Sequence, residues 1–194
     1  MTGLNEENFD GTQSDKRLDI LQPLDYSFMN INNLADLPTS DPRIIPNSNL
    51  VIKRGRDGKW VSQTLKINNN QIEDISALPT VVFELFGDTS SLTWLDISCN
   101  NISSISNSLS SLKHLKIIYL HGNKLASFQE VTKLQQLPEL SRLTLHGNPV
   151  EKEKGYFYMV LSILPKLITL DFTGISRADR QTAALIKPPG RKKH

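Results

Sequence analysis

The chain has 194 residues, a net charge of +2 and 7% aromatic residues, so it can bury one sizeable core and neither sign of charge dictates its partner. A single cysteine, Cys99, excludes an internal disulfide framework and points to a reducing compartment. No apolar run approaches the roughly 18 residues of a spanning helix, and the polar N-terminus has no apolar signal core, so an intracellular, cytoplasmic protein is expected. The sequon Asn101-Ile102-Ser103 is accordingly read as chance.

Residues 1–22 are charged and lack an apolar period, which predicts a flexible N-terminal tail. Residues 23–61 form an N-terminal cap and hairpin segment. Its first part, Pro23-Leu24-Asp25-Tyr26-Ser27-Phe28, is followed by apolar Met29, Ile31 and Leu34. Tyr26 and Phe28 are expected to pack under the core that follows; a short docking motif is the other reading. Its second part, LVIKRGRDGKWV, sets two extended segments about the turn signal Asp57-Gly58. The basic cluster Lys53, Arg54, Arg56 and Lys59 is read as a solvated hairpin tip rather than a site for nucleic acid.

From 62 to 149 one template recurs. It reads Leu65, Ile67, Asn70, Ile72; then Leu92, Leu95, Ile97, Asn100, Ile102; then Leu115, Ile118, Leu120, Asn123, Leu125; then Leu140, Leu143, Leu145, Asn148. The asparagines lie 30, 23 and 25 residues apart. In LxLxxN the apolar residues alternate, so both point to one face of a short strand. Such a strand cannot bury that face alone; stacking coils about 4.8 Å apart pairs the strands in parallel and merges their apolar residues. Asn70, Asn100, Asn123 and Asn148 are expected to bond backbone groups where each coil turns inward. Between the strands, QEVTKLQQLPEL predicts a short helix ended near Pro138, whereas ISSISNSLSSL predicts turns or a single helical turn.

Residues 150–186 read as a last repeat and cap. Tyr156, Met159, Val160, Ile163 and Leu164 form a helical stripe, Glu151 and Glu153 suit its dipole, and Pro165 stops it. Leu167, Leu170 and Phe172 repeat half the template, with Ile175 in place of the asparagine. Ser176 to Asp179 forms a capping box for a final helix to about Ile186, and 187–194 is a basic tail.

This period and register are those of leucine-rich repeats. The expected fold class is α/β: a leucine-rich-repeat solenoid of about five coils with a parallel concave sheet, an N-terminal extension and a C-terminal helical cap. The cap resembles that of intracellular leucine-rich proteins, including the leucine-rich regulator of protein phosphatase 1 and a spliceosomal leucine-rich subunit. The paired rungs Tyr119 to Asn123 and Thr144 to Asn148, NPVEKEKGY at 148–156, LDFTGISRADRQTA at 170–183 and LDYSF at 24–28 together resemble the leucine-rich repeat-containing protein 51 family. That resemblance implies a small, non-catalytic cytoplasmic repeat protein, a component of cilia or axonemes.

The search for chemistry yields little. No GxGxxG or GxxxxGK[ST] is present, and GRDGKW lacks the Walker spacing. His121 and His146 occupy one position in adjacent coils and should stack about 5 Å apart. Cys99 falls one place later in its repeat, so these are read as polar rungs and not a zinc site. No catalytic residue, metal or cofactor is expected.

The concave face is the better candidate. Thr64, Trp94, Ile117, Arg142 and Thr169 form one outward ladder, and Lys66, Asp96, Tyr119, Thr144 and Asp171 the next. Trp94, Asp96, Ile117, Tyr119, Arg142 and Thr144 are the expected partner-binding residues, because aromatic and Arg side chains anchor interfaces. The reading is a protein–protein interaction scaffold, with no membrane or nucleic-acid partner expected. The alternatives are a ribonucleoprotein subunit using the basic tail and the 53–59 loop, or a protein phosphatase regulatory subunit.

Overall fold

A computed structural model describes residues 21–44 and 52–188. The expectations for most of the N-terminal tail, the start of the hairpin segment and most of the basic tail lie outside the described residues.

The LxL alternation builds one sheet. Strands β1 (Leu24–Asp25), β2 (Thr64–Lys66), β3 (Trp94–Asp96), β4 (Ile117–Tyr119), β5 (Arg142–Thr144) and β6 (Thr169–Leu170) stand in chain order, each parallel to the next. The register places Leu24, Leu65, Leu95, Ile118, Leu143 and Leu170 in one buried row. A seventh strand, β7 (Thr173–Gly174), returns antiparallel to β6 and closes that end.

The solenoid is one coil longer than the expected five. Leu24 and Tyr26 occupy the LxL positions of a first coil, and Tyr26, with 0% exposure, stands where Ile67 stands in the second. LDYSF is therefore a rung, not merely packing beneath one. Phe28 departs from expectation: it adopts φ 57, is 67% exposed, and lies 5.5 Å from the Arg43 guanidinium.

The asparagines form a ladder with one repeated bonding scheme. Asn123 Oδ1 accepts from the Ile102 N–H (3.0 Å), while Nδ2 donates to the Ile97 (3.0 Å) and Leu120 (2.9 Å) carbonyls. Asn148 does the same with Leu125, Leu120 and Leu145. Asn100 bonds Ile72, Ile67 and Ile97, and Asn70 bonds Ile31, Tyr26 and Ile67. Each amide thus ties its own coil to the preceding one and satisfies groups that burial would otherwise strand.

The convex segments vary. Residues 128–136 combine α2 (Phe128–Thr132) with a 3-10 turn (Lys133–Gln136), and Asn107–Ser111 is a single 3-10 stretch. The segment after the second coil is instead a full helix, α1 (Leu78–Phe86), ended by Gly87 at φ 77. The hairpin tip forms, with the Gly55 N–H donating to the Lys59 carbonyl (2.7 Å) and that of Val61 to Lys53 (2.9 Å). Two of its charges are engaged locally: the Arg54 guanidinium sits 3.6 Å over the Trp60 ring, and Lys59 Nζ donates to the Glu84 carbonyl.

Helices α3 (Tyr156–Ile163) and α4 (Arg177–Ala184) pack together as the C-terminal cap, and the Ser176–Asp179 capping box opens α4. Glu151 does not serve the α3 dipole; it lies in a separate 3-10 turn and accepts the Gly147 N–H at 2.7 Å.

Candidate protein-binding face

Parallel pairing carries outward residues of neighbouring coils into contact. Trp94 pairs with Ile117, which pairs with Arg142, while Asp96, Tyr119 and Thr144 follow in register. The Trp94 and Tyr119 rings meet edge to face, centroids 5.6 Å apart and planes at 73°. Both are partly exposed, as is Ile117, and Arg142 is exposed.

Phe172 joins them, against the expectation that it fills the core. Asp171 and Phe172 both take left-handed backbone (φ 50 and 64), which turns Phe172 outward to 64% exposure. Its ring lies 5.4 Å from Tyr119, 5.8 Å from His146 and 6.2 Å from His121. The cause is the Asp171 side chain. One carboxylate oxygen accepts from the Leu145 (2.6 Å) and His146 (2.9 Å) N–H groups, and the other accepts from the Tyr156 hydroxyl (2.7 Å). With this bonding the chain turns left-handed at Asp171 and Phe172, directly after Leu170, whereas Cys99, Gly122 and Gly147 turn only after the strand and the following apolar residue.

Two expected contact residues are withdrawn from solvent. Thr144 is 1% exposed, and its hydroxyl bonds His121 Nδ1 at 2.8 Å. Phe172 reaches back past β5 to Tyr119 and His121. Asp96 is 9% exposed, and its carboxylate accepts from the Ser98 N–H (3.1 Å) and hydroxyl (2.6 Å). Lys66 enters the set instead, its Nζ 6.0 Å from the Trp94 ring.

His121 and His146 stack with centroids 4.6 Å apart and planes 6° off parallel. Burial, and secondarily the neighbouring His146, hold the His121 pKa below its usual value. Cys99 takes φ 52 at the position that Gly122 and Gly147 occupy in the next coils. Among the described residues no three His, Cys, Asp or Glu side chains are grouped as metal ligands. Nor is any helix among them long and apolar enough to cross a membrane.

A family model for the leucine-rich repeat matches residues 63–188. Leucine-rich repeat-containing protein 51 of Mus musculus is 42% identical over 170 residues, covering 88% of this chain and 87% of the relative. The chain belongs to that family. The Homo sapiens member is likewise 42% identical, over 165 residues, with 85% of this chain and 84% of the relative covered. U2 small nuclear ribonucleoprotein A′ of Candida albicans is 32% identical over 122 residues, 62% of this chain and 49% of the relative. Among solved structures, the Drosophila melanogaster SNF/U2A′ complex contains a chain of like fold. The TM-score is 0.55 at 21% identity, covering 70% of this chain and 86% of that one.

Proposed function

We propose that the chain is a non-catalytic protein-interaction scaffold whose concave face seats a protein partner. The observation that carries this is the array Trp94–Tyr119–Phe172, three rings in successive edge-to-face contact on the outside of a rigid sheet. Aromatic side chains are enriched among the residues that dominate binding energy, and an apolar cluster presented to solvent is a mark of an interaction surface. A cytoplasmic setting, in cilia or axonemes, belongs to the proposal on the family resemblance alone, and is tested by tagging the chain in a ciliated cell.

A second reading, a ribonucleoprotein subunit, is favoured by the Candida albicans relative. It predicts salt-sensitive co-purification with RNA or an RNA-binding subunit.

The test is photo-crosslinking in ciliated cells from benzoylphenylalanine at position 119. A protein adduct that Trp94→Ala abolishes supports the scaffold; an RNA adduct supports the second reading. Adducts indifferent to Trp94 contradict the concave site.

A further inference from the structure

The polar groups of the concave face are unevenly satisfied. Its carboxylates are engaged: Asp25 accepts the Ser27 N–H (2.8 Å), Asp96 binds Ser98, and Asp171 binds Leu145, His146 and Tyr156. Its cations are not. Neither the Lys66 ammonium nor the Arg142 guanidinium has a hydrogen-bond or ion-pair partner among the described residues; Lys66 has only its approach to the Trp94 ring. The Tyr119 hydroxyl is also without an acceptor there. The surface therefore presents two unpaired cations, while each of its carboxylates already holds at least one donor.

We propose that this face takes a polypeptide segment with an apolar or aromatic centre and an isolated carboxylate toward each end, bound by Lys66 and Arg142. The inference rests on the concave-face reading above. Lys66 lies on β2 and Arg142 on β5, with Trp94, Ile117 and Tyr119 on the strands between. Three strand spacings and a two-residue offset separate the two cations by about 16 Å along the sheet. A helical segment covers that span in about 10 or 11 residues, and an extended one in about five.

The carboxylates must be isolated, because Lys66 stands between Asp25 and Asp96 in the cross-strand register. A tract of acids at that end meets two like charges, whereas one carboxylate directed at Nζ does not bring a further charge against them. The same Asp residues argue against RNA. A phosphate chain needs a continuous basic track, and this face has two cations about 16 Å apart, with Asp96 on a strand between them and Asp25 flanking Lys66 on the other side.

The experiment is to pan a library of random 16-residue peptides on the full chain, then measure selected peptides against variants whose melting matches the parent. Selected peptides are expected to share an aromatic or large aliphatic residue and two separated Asp or Glu residues. Arg142→Glu and Lys66→Glu should each weaken them by about tenfold or more, as truncating a paired interface charge does. Changing the matching peptide acid to Lys should restore binding to Arg142→Glu. Peptides that are neutral or basic, an affinity within twofold in both charge variants, or no enriched peptide at all overturns the inference. Peptides that depend on Trp94 and Tyr119 but ignore both cations sink this inference and leave the concave site standing. Peptides indifferent to Trp94 and Tyr119 sink the concave site itself. Tight binding of a labelled 12-nucleotide oligouridylate, lost in Arg142→Glu, would assign the cations to RNA and overturn the peptide.

Discussion

The Tyr156 hydroxyl donates to Asp171 Oδ2 over 2.7 Å, joining the first turn of the cap helix to the end of the sheet. In the interior the Leu120 and Gly122 N–H groups donate to carbonyls of the following coil, at Thr144 (3.0 Å) and His146 (2.9 Å). At the last full coil, carboxylates take over that task. Asp171 accepts from Leu145 and His146, and Glu151 accepts from Gly147. A solenoid end needs such cover for its unpaired edge.

Asp171→Ala should therefore be among the most damaging single changes outside the apolar core. It strands the Leu145 N–H, the His146 N–H and the Tyr156 hydroxyl, at about 1–3 kcal/mol for each group left unsatisfied. Tyr156→Phe removes one bond to a charged acceptor, about 1.5–3 kcal/mol. Urea unfolding of the two variants checks the order. Truncation after Pro149 removes the cap entirely, and aggregated or molten protein is expected.

Alkali should destabilise the protein through two tyrosines, buried Tyr26 and partly buried Tyr156. Burial raises the Tyr26 pKa from 10.0 to about 12. Burial first, and then the bond to Asp171, raises Tyr156 as well. A folded pKa above the unfolded value means the unfolded chain loses its proton first. The stabilisation is then complete below about pH 10 and falls as pH climbs toward the folded value. Tyr26 alone accounts for a loss on the order of 2–3 kcal/mol by pH 12. Urea midpoints measured from pH 8 to 11.5 should fall steeply above pH 10, and less steeply in Tyr26→Phe.

The turns after β4 and β5, with Gly122 and Gly147 at positive φ, should discriminate sharply between glycine and alanine. At Gly122 (φ 67) an added Cβ would lie 3.0 Å from Cys99 Sγ and 3.4 Å from Cys99 Cα. Gly122→Ala is expected to cost at least the roughly 1–2 kcal/mol of a left-handed residue bearing a Cβ. Cys99→Gly places the favoured residue at φ 52 and opens that space, so it should raise the melting temperature. A lower melting temperature for Cys99→Gly would show that the thiol's packing on Gly122 outweighs the backbone strain.

The rungs are legible in the sequence because each requires the same chemistry: two apolar residues two apart, then an amide that reaches the preceding coil. Leu24 and Tyr26 obey the first half, but Met29 stands where the asparagine belongs, and that hides the first coil. Helix α1 carries a usable signal in Leu78, Val81, Val82, Leu85 and Phe86, with Pro79 in its first turn and Gly87 after its end; its paired β-branched residues obscure it. Trp94, Ile117, Tyr119 and Arg142 follow from strand alternation alone. Phe172 does not, because its direction depends on which backbone donors Asp171 captures, a consequence of there being no further coil. The burial of Thr144 is equally absent from any local pattern.

The concave site is tested most directly by purifying the Trp94→Ala, Tyr119→Ala double variant and comparing its thermal unfolding with its retention of the partner captured by the parent chain. Both positions point away from the core, and the aromatic pair they form contributes about 0.5–1.5 kcal/mol beyond its buried area. Unfolding should therefore stay cooperative with a modest fall in melting temperature. Binding should weaken by about thirtyfold or more, the equivalent of an interface hot spot of about 2 kcal/mol. Full retention of the partner by a well-folded double variant would contradict the concave site and move the search to the convex side or to the LDYSF segment.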